Sequence, residues 1–271
     1  MEVIEVQLTY RHSPTDKIDI YPLGDLHAGA IHCNEKAIKA KVQEIKENPK
    51  AYWVGMGDIV DAITKNDKRF DIGGLASWVK PDNIIESQRE FAVDLFKPIA
   101  SKCLGYLTGN HEETIHSNND NDITRNICKD LKVPYGGYSC FINLHFTRHG
   151  GSKRLFTIHA WHGSGAAQQE GARIMRLMRL VNDIQADIYF MGHLHAVCEY
   201  APDRLVCENG RVRSRKLIAV MTGSWLTTYT QPHKDEQINP SYGEQKGYKP
   251  SRIGCPVVHI YPETSNFTVE S

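Results

Sequence analysis

The sequence predicts an α/β fold built on parallel strands, and three observations carry that prediction. The apolar run Ala51–Gly55 has the length of a buried strand and leads directly into Gly57-Asp58. An acid at the carboxyl end of such a strand stands where open α/β sheets place their ligands. Strand-like and helix-like segments alternate around it, which implies a parallel pair joined by a right-handed crossover. Four further segments, in order along the chain, each pair a strand end with Gly and an Asp, Asn or His.

The bulk composition bounds the function class. Of 271 residues, 41% are hydrophobic and 24% charged, enough apolar surface for a real core in one large domain or two small ones. The formal net charge is zero, so no global basic field points to nucleic acid or an acidic membrane. A local basic patch would be averaged away in that sum. Seven cysteines at 33, 103, 128, 140, 198, 207 and 255 form no Cys-x-x-Cys pair, a count that suits buried thiols in a reducing compartment. The opening Met1-Glu-Val-Ile-Glu-Val lacks the basic start and apolar core of a signal peptide, and no window has the length to span a membrane. The expectation is a cytoplasmic enzyme formed as one domain over residues 1–271.

Taken in order, residues 3–9 and 17–23 read as strands, the second delivering Gly24-Asp25-Leu26-His27. Asn34 caps a helix to about Glu47, with Ile38, Val42 and Ile45 on one face. The Trp53 strand and Asp58 follow. Residues 63–82 look like an irregular insertion near the site. Ile84, Gln88, Phe91 and Leu95 mark a helix stopped by Pro98. Cys103–Thr108 is a strand running into Gly109-Asn110-His111-Glu112. Ile123, Ile127, Cys128 and Leu131 give a short helix. The alternation of Cys140, Ile142, Leu144 and Phe146, with Gly150-Gly151 and Arg154–Ala160, reads as a β-hairpin ending in His159-Ala-Trp-His162-Gly163. A helix is expected from about Ala166 to Asn182, with Ile174, Met178 and Val181 inward. Strand 187–191 leads into Gly192-His193-Leu194-His195, and short strands follow near 196–200, 215–221, 256–261 and 266–269. A second irregular insertion, rich in Gly, Pro and Tyr, spans about 223–254.

The strand ends collect Asp25, His27, Asp58, Asn110, His162, His193 and His195. These are carboxylate, imidazole and amide groups without a thiolate, a set suited to Mn²⁺, Fe, Zn²⁺ or Ni²⁺ rather than to a structural zinc cage. Along an extended strand, residues i and i+2 point the same way, so Asp25/His27 and His193/His195 can each face one cavity. Singly, an Asp-x-His or Gly-x-His is a common loop pattern. Here five of thirteen histidines (27, 111, 162, 193 and 195) gather at strand ends beside Gly and Asp or Asn, and that conjunction is specific.

With these residues the chain resembles the calcineurin-like metallophosphoesterase superfamily. The matching motifs are Gly24-Asp25-Leu26-His27, Gly57-Asp58-Ile59-Val60-Asp61, Gly109-Asn110-His111-Glu112, His162-Gly163 and Gly192-His193-Leu194-His195, in the family's order. The resemblance implies a four-layer α/β/β/α sandwich of two mixed sheets flanked by helices. It implies two divalent metals, Mn²⁺ foremost, one held by Asp25, His27 and His195 and the other by Asn110, His162 and His193, with Asp58 bridging. His159 competes with His162, and the following Gly163 favours the latter. Two such cations lower the pKa of a shared water, which attacks phosphorus in line. His111 would then serve the leaving oxygen as general acid, oriented by the Asp61 carboxylate.

Departures from the family narrow the substrate. Ala62 stands where the protein phosphatases carry an arginine, and Asp61 where purple acid phosphatases carry a metal-binding tyrosine. The expected activity is therefore a metal-dependent phosphoesterase acting on a diester or nucleic acid, with a phosphomonoesterase as the alternative and a non-catalytic scaffold a further one. The complete set of seven ligands and His111 speaks against the scaffold. Arg173, Arg176 and Arg179, and the cluster Arg211, Arg213, Arg215 and Lys216, read first as solvated faces and second as a phosphate-backbone track. Trp78, Tyr229, Tyr242 and Tyr248 read first as loop packing and second as base-stacking platforms.

Overall fold

Two six-stranded mixed sheets lie face to face, and helices cover their outer sides, giving the expected α/β/β/α sandwich. The computed structural model describes residues 1–148, 150–208, 210–229 and 240–271. One sheet has the order β14 (Asn266–Glu270), β13 (Val257–Tyr261), β2 (Ile18–Leu23), β3 (Ala51–Gly55), β4 (Cys103–Leu107) and β5 (Tyr135–Gly137). The other has the order β1 (Glu2–Tyr10), β6 (Ser139–Arg148), β7 (Lys153–Trp161), β8 (Ile188–Met191), β12 (Ile218–Thr222) and β9 (Val197–Tyr200). Strands β2, β3, β4 and β5 run parallel, as do β7, β8 and β12.

Period-two alternation divides the core. Val54 points between the sheets, where it joins Ile20, Ile142, Leu144, Phe146 and Ile158. Trp53, its neighbour, points outward under the helices and is fully buried. Its ring stacks on Phe96 at 4.6 Å, and its indole N–H donates to the Ile99 carbonyl at 2.8 Å, so the buried polar tip is satisfied. Helix α1 (Glu35–Glu47) buries Ile38, Val42 and Ile45 on this side, and the Asn34 side chain accepts from the Ala37 N–H at 3.0 Å as its cap. Helices α2 (Ile84–Phe96) and α4 (Ile123–Leu131) complete the layer. Pro98 lies in the 3₁₀ turn Lys97–Lys102 that ends α2.

Some elements differ from the sequence expectation. Helix α3 (Asn110–Asn119) starts within the Gly109–Glu112 motif, which reads in sequence only as a strand end. Its apolar content is too sparse for a helical stripe. Helix α5 (Glu170–Asp183) begins at Glu170 rather than Ala166, because Gly163 and Gly165 take positive φ and the chain stays at the site before turning helical. It buries Leu177, Leu180 and Val181, whereas Met178 is exposed. The expected strand 215–221 is two strands of different sheets: β12 is fully buried, while the preceding hairpin, β10 (Asp203–Glu208) with β11 (Arg211–Lys216), stands apart with a largely exposed surface.

Insertion 63–82 is irregular as expected, with one 3₁₀ turn (Ile72–Gly74), and its Ala76 and Val79 cluster with Ile84 at the start of α2. Trp78 stacks on Phe91 at 4.5 Å and donates to Glu35 Oε1, and Tyr229 donates to the Tyr248 carbonyl at 2.7 Å, so both rings engage the protein. Residues 230–239 of the 223–254 insertion lie outside the described residues. All seven cysteines are free thiols. Among the described residues no helix is long and apolar enough to cross a membrane.

Candidate metal centre

The carboxyl ends of β2, β3, β4, β7 and β8 converge at one edge of the sandwich and bring every predicted site residue there. The backbone at this edge is strained. Among the described residues nine non-glycine positions have positive φ, and five are Asp25, His27, Asp58, His193 and His195, at φ of 48° to 69°. Each such left-handed residue costs on the order of 1–3 kcal/mol and persists where surrounding structure enforces it. This also corrects the reason for the Asp25/His27 and His193/His195 pairing: both pairs lie past the strand ends, with left-handed φ at all four residues, and not on extended strand backbone.

Two groups of donor atoms result. In the first, His195 Nε2 lies 3.4 Å from Asp25 Oδ1 and 3.1 Å from His27 Nε2. In the second, Asn110 Oδ1 lies 3.1 Å from His162 Nε2 and 2.7 Å from His193 Nδ1. Asp58 stands between them, its Oδ2 being 3.9 Å from His27 Nε2 and 3.4 Å from His162 Nε2. Within Asp25/His27/His195, within Asp58/His162/His193, and within His27/Asp58/His111, which links the two, the candidate atoms all lie within 4.8 Å of one another.

The opposite ring nitrogens test whether cations fit. His162 Nδ1 faces the Met56 carbonyl at 2.7 Å, His193 Nε2 the Gly165 carbonyl at 3.0 Å, and His27 Nδ1 the Asp61 carboxylate at 3.5 Å. An acceptor at one nitrogen places the proton there and turns the other nitrogen's lone pair inward, the arrangement that metal-binding histidines adopt. All three inward nitrogens point at the shared oxygen and imidazole donors, so the residues present fit divalent metal binding.

The electrostatics agree. Burial works against the Asp58 charge, yet His162, His111 and His27 hold its carboxyl well below the usual range. Burial likewise opposes protonation of His162, but Asp58 pushes it up to about 9. Burial, with His111 beside it, pushes His27 down, and burial with His162 does the same to His193. A buried carboxylate ringed by imidazoles, of which His27 and His193 are pushed toward the neutral form, is a site built for positive charge.

His111 sits beside this cluster at the start of α3. Its backbone N–H donates to Asp58 Oδ1 at 2.9 Å, and its ring packs edge-on against His27 with centroids 4.5 Å apart. Its Nδ1 meets the backbone carbonyl of Asp61. The Asp61 carboxylate is farther from His111 Nδ1, at 4.0 Å, than from His27 Nδ1, at 3.5 Å. The expected orienting contact therefore runs through the Asp61 main chain, and the Asp61 side chain serves the His27 ring. Despite burial, Asp58 and Asp61 raise the His111 pKa, while Arg69 of insertion 63–82 opposes the shift.

Sequence reasoning assigned no role to Glu112, whose carboxylate is the clamp of the site. One oxygen accepts from the N–H groups of Asp58 (3.0 Å) and Gly109 (2.9 Å), the other from Ile59 (2.7 Å) and Val60 (3.2 Å). Burial and the nearby Asp58 charge push Glu112 up to about 7, against the opposing pull of His162 and the Val60 N–H. The available signal was positional: a Glu three residues after the capping Gly109 reaches back to that cap's N–H. His159, the rival of His162, points away from the site. It is buried against Phe141, at 5.1 Å between ring centroids, and neither ring nitrogen has a partner.

No curated protein matches the chain in sequence. Among solved structures it is similar to NAD nucleotidase of Haemophilus influenzae, with TM-score 0.42 and 12% identity over 94% of this chain. The chain spans about half of that protein, 49% of its length. It is also similar to a conserved uncharacterized protein of Streptococcus pneumoniae described as a predicted phosphoesterase, with TM-score 0.31 and 14% identity, covering 94% of this chain and 98% of that one. The family model of the calcineurin-like phosphoesterases matches residues 19–197, more than half of the sequence and all of the converging strand ends. The chain belongs to the calcineurin-like phosphoesterases.

Proposed function

We propose that this protein is a two-metal hydrolase of phosphate esters that prefers diesters. The observation that carries the reading is the convergence of Asp25, His27, Asp58, Asn110, His162, His193 and His195 into two donor groups sharing Asp58. Asp25, His27 and His195 would hold one cation and Asn110, His162 and His193 the other, with Asp58 common to both. Oxygen and imidazole donors without thiolate suit Mn²⁺ first, then Fe, Zn²⁺ or Ni²⁺. Such ions, when bound, activate water and neutralise phosphate oxygens.

The chain's own residues supply the rest. Asp58 Oδ1 is held by the His111 N–H, which leaves Oδ2 facing both groups. His111, whose pKa Asp58 and Asp61 raise against burial and which is fixed through Nδ1 by the Asp61 carbonyl, is the proton source for the leaving oxygen. A general acid matters most for poor leaving groups, so its contribution varies with the substrate.

The diester preference rests on charge. Buried Ala62 occupies the place where the protein phosphatases put an arginine, so a dianionic monoester loses a cationic partner. A diester carries one negative charge and a second ester group for the surrounding loops. Arg69, whose charge acts on His111 and which pairs with Asp67 at 2.7 Å, stands with exposed Lys65 and Lys68 in the insertion that borders the site. A cyclic nucleotide or a nucleic acid strand offers such a diester. The free thiols fit a cytoplasmic setting. The test compares kcat/KM for p-nitrophenyl phosphate and bis-p-nitrophenyl phosphate with the same metal and pH. A higher value for the diester is expected, and a clear monoester preference returns the protein to the phosphatases.

A further inference from the structure

The arginines of α5 read in the sequence as a solvated face, yet one of them reaches back over the loop that joins His162 to the helix. Arg176 Nη1 donates to the Ser164 carbonyl at 2.9 Å. Its Nη2 lies 2.5 Å from where a Cβ on Gly165 would stand, so the guanidinium covers the face of Gly165 that a side chain would fill. Gly165 has φ +78°, a conformation glycine adopts without steric cost. The carbonyl of that same residue faces His193 Nε2 at 3.0 Å.

The rest of the loop is held in the same manner. Tyr138 donates to the Gly163 carbonyl at 3.1 Å and Arg173 Nε to the Ala167 carbonyl at 3.0 Å. Three side chains from outside the loop thus fix its carbonyls, and the carbonyl between them is aimed at His193. A hydrogen bond to the far nitrogen of a metal-binding imidazole sets its tautomer and ring orientation, and losing such a contact typically costs about 10–100-fold in metal affinity.

We infer that Arg176 is a positioning residue for the second cation position: by pinning Ser164 and Gly165 it holds the carbonyl that keeps the His193 Nδ1 lone pair turned toward Asn110 and His162. The inference rests on the two-metal reading. It assigns work to a residue that touches neither cation nor substrate, and it makes the two positions unequal, because no α5 arginine supports Asp25, His27 or His195 through this loop.

Calorimetric titration with Mn²⁺ alone tests it. The wild-type protein is compared with Arg176→Ala, Arg176→Lys and Gly165→Ala, with the exposed Arg179→Ala as control. His193→Ala and His195→Ala assign the two binding events. Arg176→Ala is expected to weaken the event lost in His193→Ala about tenfold and to leave the other within twofold. Gly165→Ala, whose Cβ would displace the guanidinium, should do the same. Arg176→Lys, with an ammonium that still donates to Ser164, should recover most of the affinity, and Arg179→Ala should match wild type. Equal affinities in Arg176→Ala and wild type overturn the inference. So does equal weakening of both events, or a melting temperature far below that of Arg179→Ala, since either assigns Arg176 to general stability. A wild-type protein that takes up no Mn²⁺ overturns the two-metal reading itself, and the inference with it.

Discussion

Glu112→Gln removes one carboxylate oxygen from the middle of the site without changing the size of the side chain. The native oxygens each accept two backbone N–H groups, at 2.7 to 3.2 Å, from Asp58, Ile59, Val60 and Gly109. The amide keeps one acceptor and turns an NH₂ toward the other two donors, which are buried and have no alternative in that place. A buried donor left without its acceptor costs about 1–3 kcal/mol, so two give roughly 2–6 kcal/mol, and about 3 kcal/mol is the expected loss. In a chain of this size that lowers the melting temperature by about 6–12 °C. The loop being released carries Asp58 at φ +48°, so Mn²⁺ binding should weaken as well. The assay is urea and thermal unfolding of Glu112→Gln against wild type, with exposed Glu113→Gln as the neighbouring control. A Glu112→Gln protein within about 0.5 kcal/mol of wild type would refute the clamp, because surface changes normally fall in that range.

Three other outcomes follow from the same geometry. His111→Ala should lower kcat by about 10²–10⁴-fold while the number of bound Mn²⁺ stays unchanged, and the drop should shrink for leaving groups that need no proton; metal loss along with activity would make His111 a ligand. Asp61→Asn should weaken Mn²⁺ at the Asp25/His27/His195 position about tenfold through the His27 ring, and metal affinity equal to wild type would return the Asp61 carboxylate to His111 alone. Burial without a partner pushes His159 down from 6.5 to about 4, so its neutral ring contributes stability that is present above pH 6.5 and lost as pH falls toward 4. His159→Phe should flatten the dependence of the unfolding midpoint between pH 6.5 and 4, and an unchanged slope would place the acid sensitivity elsewhere.

The parallel α/β strands and the site edge were legible because both leave strong local signals, whereas the four-layer sandwich was implied by the family resemblance of the motifs. The buried strands β2, β3 and β4 are short apolar runs, each closed by a Gly-Asp or Gly-Asn step, and β6 alternates as far as Phe146 before its Gly150-Gly151 turn. The convergence of Asp25, Asp58, Asn110, His162 and His193 follows from parallel strands ending at one edge. What stayed hidden depends on contacts between distant backbone segments. Glu112 acts on N–H groups more than fifty residues away, and the Gly165 carbonyl meets His193 across the loop to α5. The left-handed φ at Asp25, His27, Asp58, His193 and His195 is rare for any residue with a side chain, even for Asp and His that tolerate it best, and no local pattern announces it. The β10–β11 hairpin merged with β12 in sequence because Lys216 and Ile218 are nearly adjacent, while their surroundings change from solvent to core within two residues.

The claim on which the rest depends is that Asp58 joins two cation positions. Equilibrium dialysis with Mn²⁺, counting ions bound per chain in wild type and in Asp58→Asn, tests it most directly, with bis-p-nitrophenyl phosphate hydrolysis followed in the same samples. Two Mn²⁺ per wild-type chain are expected, with both weakened and hydrolysis abolished in Asp58→Asn. Wild-type hydrolysis that survives removal of both ions, or an Asp58→Asn protein that binds two ions and turns over normally, would contradict it.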